Sequence, residues 1–371
     1  MFTDSETRHL GKVRAQFFDQ PTNGISYIRL KADLQNLPDH LRTFLPMFKE
    51  MLPAVGTENF SYDVFNNRML GCSSGLRVEL DRFTATEDYL NVKERNEQLL
   101  VSTGFLDRNT ERAFDCLKEI IVTPNFAEHS HIRDLIKMGS INKSNNIGNK
   151  GLEYATSYGT SGLRAHARSF ESLRSDMFFC QYAAKVKEQE EAAMLDDAIS
   201  KMTEIASHVF QEGNIEFSVH SDAKKFDKIQ LQLDQLLSSI QSKASTVKSS
   251  SSSSEIFDGS TYHKSFFKTP LKVNNCSESM LGPTNRNVDD YAALLVMKQL
   301  MTFEFLFPLI REKGGAYGAG CNVSESGLIT MFSYRDPNIE KTYENFEKAI
   351  GEVASGNFTD AQISEAKLLT F

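Results

Sequence analysis

Residues 307–321 constrain this chain more than any other stretch. The apolar run from Tyr291 to Ile310 predicts a mostly buried helix ending at Arg311. Gly314, Gly315, Gly318 and Gly320 then crowd into seven residues. Glycine accepts positive φ and lets a second backbone come close, so a helix giving way to such a loop can hold a peptide beside its own main chain. Arg311 and Tyr317 are the two polar side chains able to address that peptide, with Gly314, Gly315 and Ala316 as the main chain beside it. The plainer alternative is a surface arginine and a turn tyrosine.

The chain has 371 residues, which suggests two or three domains. With 40% hydrophobic and 24% charged residues it has the composition of an ordinary globular protein. A formal net charge of -8 argues against a nucleic-acid partner, because no basic field is available for phosphate contacts. Acidic surface favours cationic partners instead. Cys72, Cys116, Cys180, Cys276 and Cys321 are odd in number and widely spaced, and so read as reduced thiols. No stretch reaches the ~20 uninterrupted apolar residues of a membrane span. The opening residues carry neither an apolar signal core nor an Arg-rich amphipathic pattern, so any import signal is expected outside this sequence.

In chain order, the stretch Ala15–Leu34 predicts two strands around the turn Gln20-Pro-Thr-Asn-Gly24. Leu37–Leu52 predicts an amphipathic helix with Pro38 in its first turn. Short alternating runs in 60–89 and again in 97–104 predict strands, and 107–121 and 126–138 predict helices. From Asn145 to Phe210 the pattern is helical, broken near Arg174. Small residues at Gly151, Ala155, Ser157, Gly159, Gly162 and Ala165 there allow close packing against a sheet or neighbouring helix. Ile215–His220 alternates as a strand and Lys225–Ile240 closes as a helix. The Ser-rich run within 246–260 predicts a flexible linker. A strand from Tyr262 and a helix from Asn338 follow. The expected organisation is α+β, with a first sheet-plus-helix unit over 1–245, the linker over 246–260 and a second unit over 261–371.

Arg311-Glu-Lys-Gly-Gly-Ala-Tyr-Gly318 and Gly327-Leu-Ile-Thr-Met-Phe-Ser-Tyr-Arg-Asp-Pro337 closely resemble the C-terminal half of the presequence proteases. These are the mitochondrial branch of the pitrilysin and insulysin zinc peptidases. Gln20-Pro-Thr-Asn-Gly24 and Leu37-Pro-Asp-His-Leu-Arg42 extend the resemblance from near residue 15 to the last residue. It implies two consecutive units of the pitrilysin/insulysin-type fold, the second one truncated, within a longer chain. It also implies that Arg311 binds a substrate main-chain carbonyl and that Tyr317 stabilises the oxyanion of a tetrahedral intermediate. A fixed cationic fork and a phenolic donor suit negative charge that develops away from water. The implied partner is an N-terminal catalytic half, which holds the zinc and the water-activating glutamate. The implied substrates are short, unstructured and basic peptides, and the implied location is the mitochondrial matrix.

In that catalytic half the element equivalent to Leu37–Leu52 carries the inverted motif His-x-x-Glu-His. Here Met47 and Met51 stand where the histidines would be, although Glu50 survives. Thioethers suit hydrolytic zinc poorly, so no metal is expected in this chain, and Met47, Phe48 and Met51 read as a core stripe. Glu128, His129 and His131 invite a second metal reading, but two residues apart on a helix do not share a face. The chain is thus expected to be inactive alone. The alternative is an inert structural or peptide-binding module of the same fold, which would need no arginine-tyrosine pair.

Overall fold

In a computed structural model of the protein, residues 5–83, 96–163, 172–188, 191–240, 264–268 and 271–370 are described. Two antiparallel strands, β1 (Glu6–Leu10) and β2 (Val13–Asp19), open the chain, which turns through Gln20–Gly24 into β3 (Ile25–Asp33). The turn takes the left-handed conformation at Asn23 (φ 53°) and Gly24 (φ 82°), two residue types that tolerate it. On β2, Val13, Ala15 and Phe17 are buried in alternation, and on β3 so are Ser26, Ile28, Leu30 and Ala32, the period of strands with one face on a core.

These two strands flank the expected turn without pairing. After β4 (Gly56–Thr57), β5 (Arg77–Phe83), β6 (Asn96–Leu106) and β7 (Pro124–Asn125), the strand β8 (Ile215–Ser221) inserts between them. It runs parallel to β2 and antiparallel to β3. The sheet order is β1-β2-β8-β3-β6-β5, while β4 and β7 form a separate two-stranded pair. Helices Thr110–Val122 and Phe226–Ser239 bring Phe114 against Phe105 and Phe226 against Phe17, at ring-centroid distances of 5.8 and 5.0 Å.

In the N-terminal part of the chain two local expectations change. The helix predicted over Leu37–Leu52 forms as Asp39–Arg42 and, after a break, Leu45–Met51. Pro46 explains the break, since its ring would crowd the carbonyl of Arg42 in a continuous helix; at the start of a new one it is harmless. Within the segment read as strands, Tyr62–Leu70 is a helix that follows Ser61 and buries Phe65 and Met69, four residues apart on one face.

By its contacts the chain divides into two compact units, the first containing Met1–Arg82, Asn96–Ile141 and Phe178–Ser252. The second contains Asn142–Met177 and Ser253–Phe371, so a segment expected in the first unit belongs to the second. The expected linker over 246–260 lies outside the described residues. In the second unit β9 (Asn274–Leu281), β10 (Gly318–Val323) and β11 (Leu328–Asp336) form an antiparallel sheet in the order β10-β11-β9. The expected strand from Tyr262 is displaced to β9. Lys264–Lys268 has no regular structure, and Phe267 rests edge-on against Tyr158 at 4.6 Å.

One face of this sheet is covered by the helices Val288–Glu312 and Glu340–Ala354. Leu306, Ile310, Phe346 and Ala349 bury against Cys276, Ile329 and Met331 there. The first of these helices, expected over Tyr291–Ile310, is by length and composition apolar enough to cross a membrane, although Lys298 and Glu304 interrupt the apolar run. Its Leu294, Leu300, Met301, Leu306 and Ile310 are buried in this unit, but most of its other residues are half-buried or exposed, so the helix expected to be mostly buried keeps only one face on the core. The other face, with Ser277, Ser279 and Thr330, receives the helix Gly151–Thr160. Ser277 Oγ donates to the Ala155 carbonyl at 2.9 Å. The glycines allow this approach: a Cβ on Gly159 would lie 2.5 Å from Ser277 Oγ, and one on Gly151 would lie 2.3 Å from Asn275 Nδ2. Tyr154 OH donates to Asp176 at 2.6 Å and Lys143 Nζ lies 3.1 Å from the same carboxylate, which ties the segment to itself.

Candidate active site

The site follows from how one helix ends. Met301–Glu312 is wound as π-helix with Pro308 inside it. A proline has no N–H to donate and crowds the carbonyl four residues back, and a wider winding relieves both demands. The end is closed by Gly315 N–H to the Arg311 carbonyl at 3.0 Å and Ala316 N–H to the Ile310 carbonyl at 3.1 Å. Gly315 supplies the positive φ, 79°, that such a helix end requires. A Cβ on Gly314 would sit 2.5 Å from the Ile310 carbonyl oxygen, so neither position accepts a side chain freely.

The loop is then fastened to its surroundings. Asn338 Nδ2 donates to the Gly314 carbonyl at 2.7 Å, and Tyr317 N–H donates to the Tyr334 carbonyl at 3.1 Å. Ala316 is buried, whereas the neighbouring Tyr317 side chain is 68% exposed. A rigid turn therefore holds out a phenol.

Phe307, Arg311, Glu312, Gly315, Ala316, Tyr317 and Arg335 line one open concavity of about 670 Å³. The two residues singled out from sequence, Arg311 and Tyr317, thus share a wall with Gly315 and Ala316. Gly314 is not part of that lining and serves through its carbonyl as an anchor. The Arg311 guanidinium lies 4.4 Å from the centroid of the Phe307 ring, one helical turn back, which orients an otherwise long and mobile side chain. Tyr317 meets Tyr334 edge-on at 5.7 Å. Among the described residues no ion pair is formed by Arg311 or Arg335, so the concavity presents two guanidinium groups and a phenolic donor beside the single carboxylate of Glu312. Sequence reasoning did not single out Arg335, because only its backbone conformation turns it toward Tyr317.

Zinc, which the resemblance implies for the complete enzyme, does not fit either of the two donor sets that the sequence suggests, both of which lie among the described residues. Met47 and Met51 are each 1% exposed, and Phe48 between them packs on Phe126 and Phe210 at 5.9 and 6.4 Å. These are core side chains, as the stripe reading expects. His129 pairs with Asp196 at 2.7 Å, while His131 Nε2 contacts the Ala54 carbonyl at 2.6 Å and its ring stacks on Tyr62. Each imidazole has its own partner on a different neighbour, and they are not brought together.

Comparison with known proteins adds the family. The model for the associated domain of M16 peptidases, subfamily C, matches residues 2–175, and the model described as "PreP C-terminal domain" matches residues 264–368. The mitochondrial presequence protease of Danio rerio is 27% identical over 389 residues, covering 100% of this chain. That of Mus musculus is 28% identical over 389 residues, covering 97%. In both cases the chain spans 37% of the relative's length. Among solved structures, a conserved protein from Enterococcus faecalis superposes with a TM-score of 0.63 at 12% identity, covering 98% of this chain and 83% of that one. A structure titled as a peptidase M16 inactive domain from Pseudomonas fluorescens superposes with a TM-score of 0.55 at 15% identity, covering 99% and 82%. These structures share the fold. With both family models in sequence and the relatives aligned along its length, the chain belongs to the presequence-protease branch of the M16 peptidases, where it corresponds to the C-terminal half.

Proposed function

We propose that this chain is the substrate-gripping half of a zinc endopeptidase that degrades short, unstructured, basic peptides in the mitochondrial matrix. The metal and the attacking water belong to an N-terminal catalytic half, so this chain's own share of the chemistry is binding and charge stabilisation. Arg311 donates to a main-chain carbonyl of the bound peptide, and Tyr317 donates to the oxygen on which negative charge develops as the scissile carbonyl becomes tetrahedral. The main chain at Gly315 and Ala316 lies alongside the substrate backbone, while Gly314, expected beside it as well, anchors the turn from behind. A donor fixed before reaction costs no reorganisation when charge appears, and for that reason the fastening of the loop matters as much as the phenol itself.

The observation that supports this reading is the exposed Tyr317 held on a fastened turn, in one concavity with an unpaired Arg311. The negative formal charge of the chain suits basic peptides at longer range. An inert module of the same fold would gain nothing from exposing these two side chains. The test is kinetic. In the protease assembled with its zinc-binding half, Arg311→Met is expected to raise KM for a presequence-like peptide and lower kcat/KM about 10²-fold, as loss of a charge-assisted donor does. An unchanged kcat/KM would remove Arg311 from the site.

A further inference from the structure

Arg335 is one of two described non-glycine residues with positive φ, at 48°. The other, Asn23, sits in a turn where asparagine is at ease; an arginine has no such local compensation. Its surroundings impose the conformation. Ser333 faces Cys276 while Asp336 faces Asn274, so β11 carries one residue more than β9 across this interval. A bulge of this kind re-aims a side chain out of the pleat. Both ends are secured: the Arg335 N–H donates to Asn275 Oδ1 at 3.3 Å, and the fully buried Asp336 accepts from Thr342 Oγ1 at 2.5 Å and from the Asn338 N–H at 2.8 Å.

The product of this arrangement is a guanidinium 5.9 Å from the Tyr317 ring centroid and 5.3 Å from that of Tyr334. Tyr334 in turn meets Tyr317 edge-on. A ring that is 68% exposed is thereby bracketed by a cation and an aromatic edge. We propose that Arg335 is a positioning residue, which holds the Tyr317 ring against Tyr334 so that the phenol is presented in a single orientation. This rests on the role given to Tyr317 above. It explains why the strained backbone lies at this concavity, since such strain persists where a side chain must point one way.

The experiment is a double-mutant cycle in the protease assembled with its zinc-binding half. Arg335→Met keeps the aliphatic stem and removes the cation; kcat is expected to fall roughly five- to tenfold with KM within about twofold. Arg335→Lys, a cation without the flat fork, should recover part of the loss. Arg335→Gly, which accepts the left-handed backbone, should lose turnover while melting no lower than the parent, so that misfolding is not the cause. In a Tyr317→Phe background, Arg335→Met should cost nothing further, and an equal cost in both backgrounds would overturn the proposal. Ring order is read separately on this chain alone by 13C relaxation of labelled tyrosine. Increased Tyr317 motion in Arg335→Met is expected, and unchanged motion refutes positioning whatever the kinetics. Increased motion together with an unaffected Tyr317→Phe enzyme would retain positioning and remove the oxyanion role.

Discussion

Replacing Gly159 by alanine sets two known effects against each other. In an exposed helix interior the change is favourable by about 1 kcal/mol, because glycine loses more backbone freedom on folding. At Gly159 the new Cβ would lie 2.5 Å from Ser277 Oγ and 3.2 Å from Ser279 Oγ. The Ser277 hydroxyl must rotate away, and its bond to the Ala155 carbonyl, 2.9 Å long, is lost. Overpacking of this kind costs about 1–3 kcal/mol, and a broken hydrogen bond costs about 1 kcal/mol. The net expectation is a destabilisation of the second unit by about 1–2 kcal/mol, taking the lower part of the overpacking range because a hydroxyl can turn. Gly351, inside the helix Glu340–Ala354, is the control, since a Cβ there meets nothing within 4 Å and alanine should stabilise by about 0.5–1 kcal/mol. A chain of two units need not unfold in one step, so the assay is amide hydrogen exchange followed on peptides from β9 and β11. Protection should fall in Gly159→Ala and hold or rise in Gly351→Ala. Equal, rising protection in both would refute the close seating of the helix Gly151–Thr160 on this sheet.

In the first unit, Arg42 binds Glu97, whose side chain is 1% exposed, and also the carbonyls of Leu34 and Gln35. Arg42→Met should therefore destabilise by about 3–5 kcal/mol in urea titrations, and adding Glu97→Leu should recover much of that; no recovery would mean the carbonyl bonds carry the effect. His220 and His129 depart from 6.5 in opposite directions. Burial, then Arg29 and Lys31, push His220 down, so the unfolded chain takes the proton first and stability is lost as pH falls below 6.5. A hydrogen bond to Asp196, then one to the Ala127 carbonyl, hold His129 up, so its contribution is present below 6.5 and lost as pH rises past its folded value. NMR titration should place the two midpoints on either side of 6.5, and a His220 midpoint above it would contradict the packing on Phe18. Metal analysis of this chain should find no stoichiometric zinc, and a tightly held ion would overturn the core role of Met47 and Met51.

What could be read from sequence was local. The alternation in β3 and β8, the apolar helix up to Ile310 and the helix-ending glycines all follow from side-chain period and backbone permissiveness, and the elements formed where the pattern put them. The break at Pro46 is a local signal too, since a proline inside a helical pattern marks a boundary, and the single helix expected over Leu37–Leu52 overlooks it. Partner choice was not legible. Nothing in Gln20–Gly24 says that β8, some two hundred residues on, will part the two strands it joins. Gly151 and Gly159 announced a close approach without naming its target, which turned out to be β9 rather than the first sheet. At the site, residue types pointed to Arg311 and Tyr317. Arg335 was hidden because a bulge and a positive φ, products of tertiary pairing, aim its side chain.

The central claim is a division of labour, in which this chain stabilises charge on the substrate and another half prepares the water. Turnover of a basic, presequence-like peptide by the two halves mixed together tests it most directly, with the chain supplied either intact or as Tyr317→Phe. Neither half alone should turn over, the intact mixture should, and Tyr317→Phe should lower kcat about 10²-fold with peptide affinity little changed, as loss of an oxyanion donor does. Undiminished turnover with Tyr317→Phe, or turnover by the zinc-binding half alone, would contradict the account.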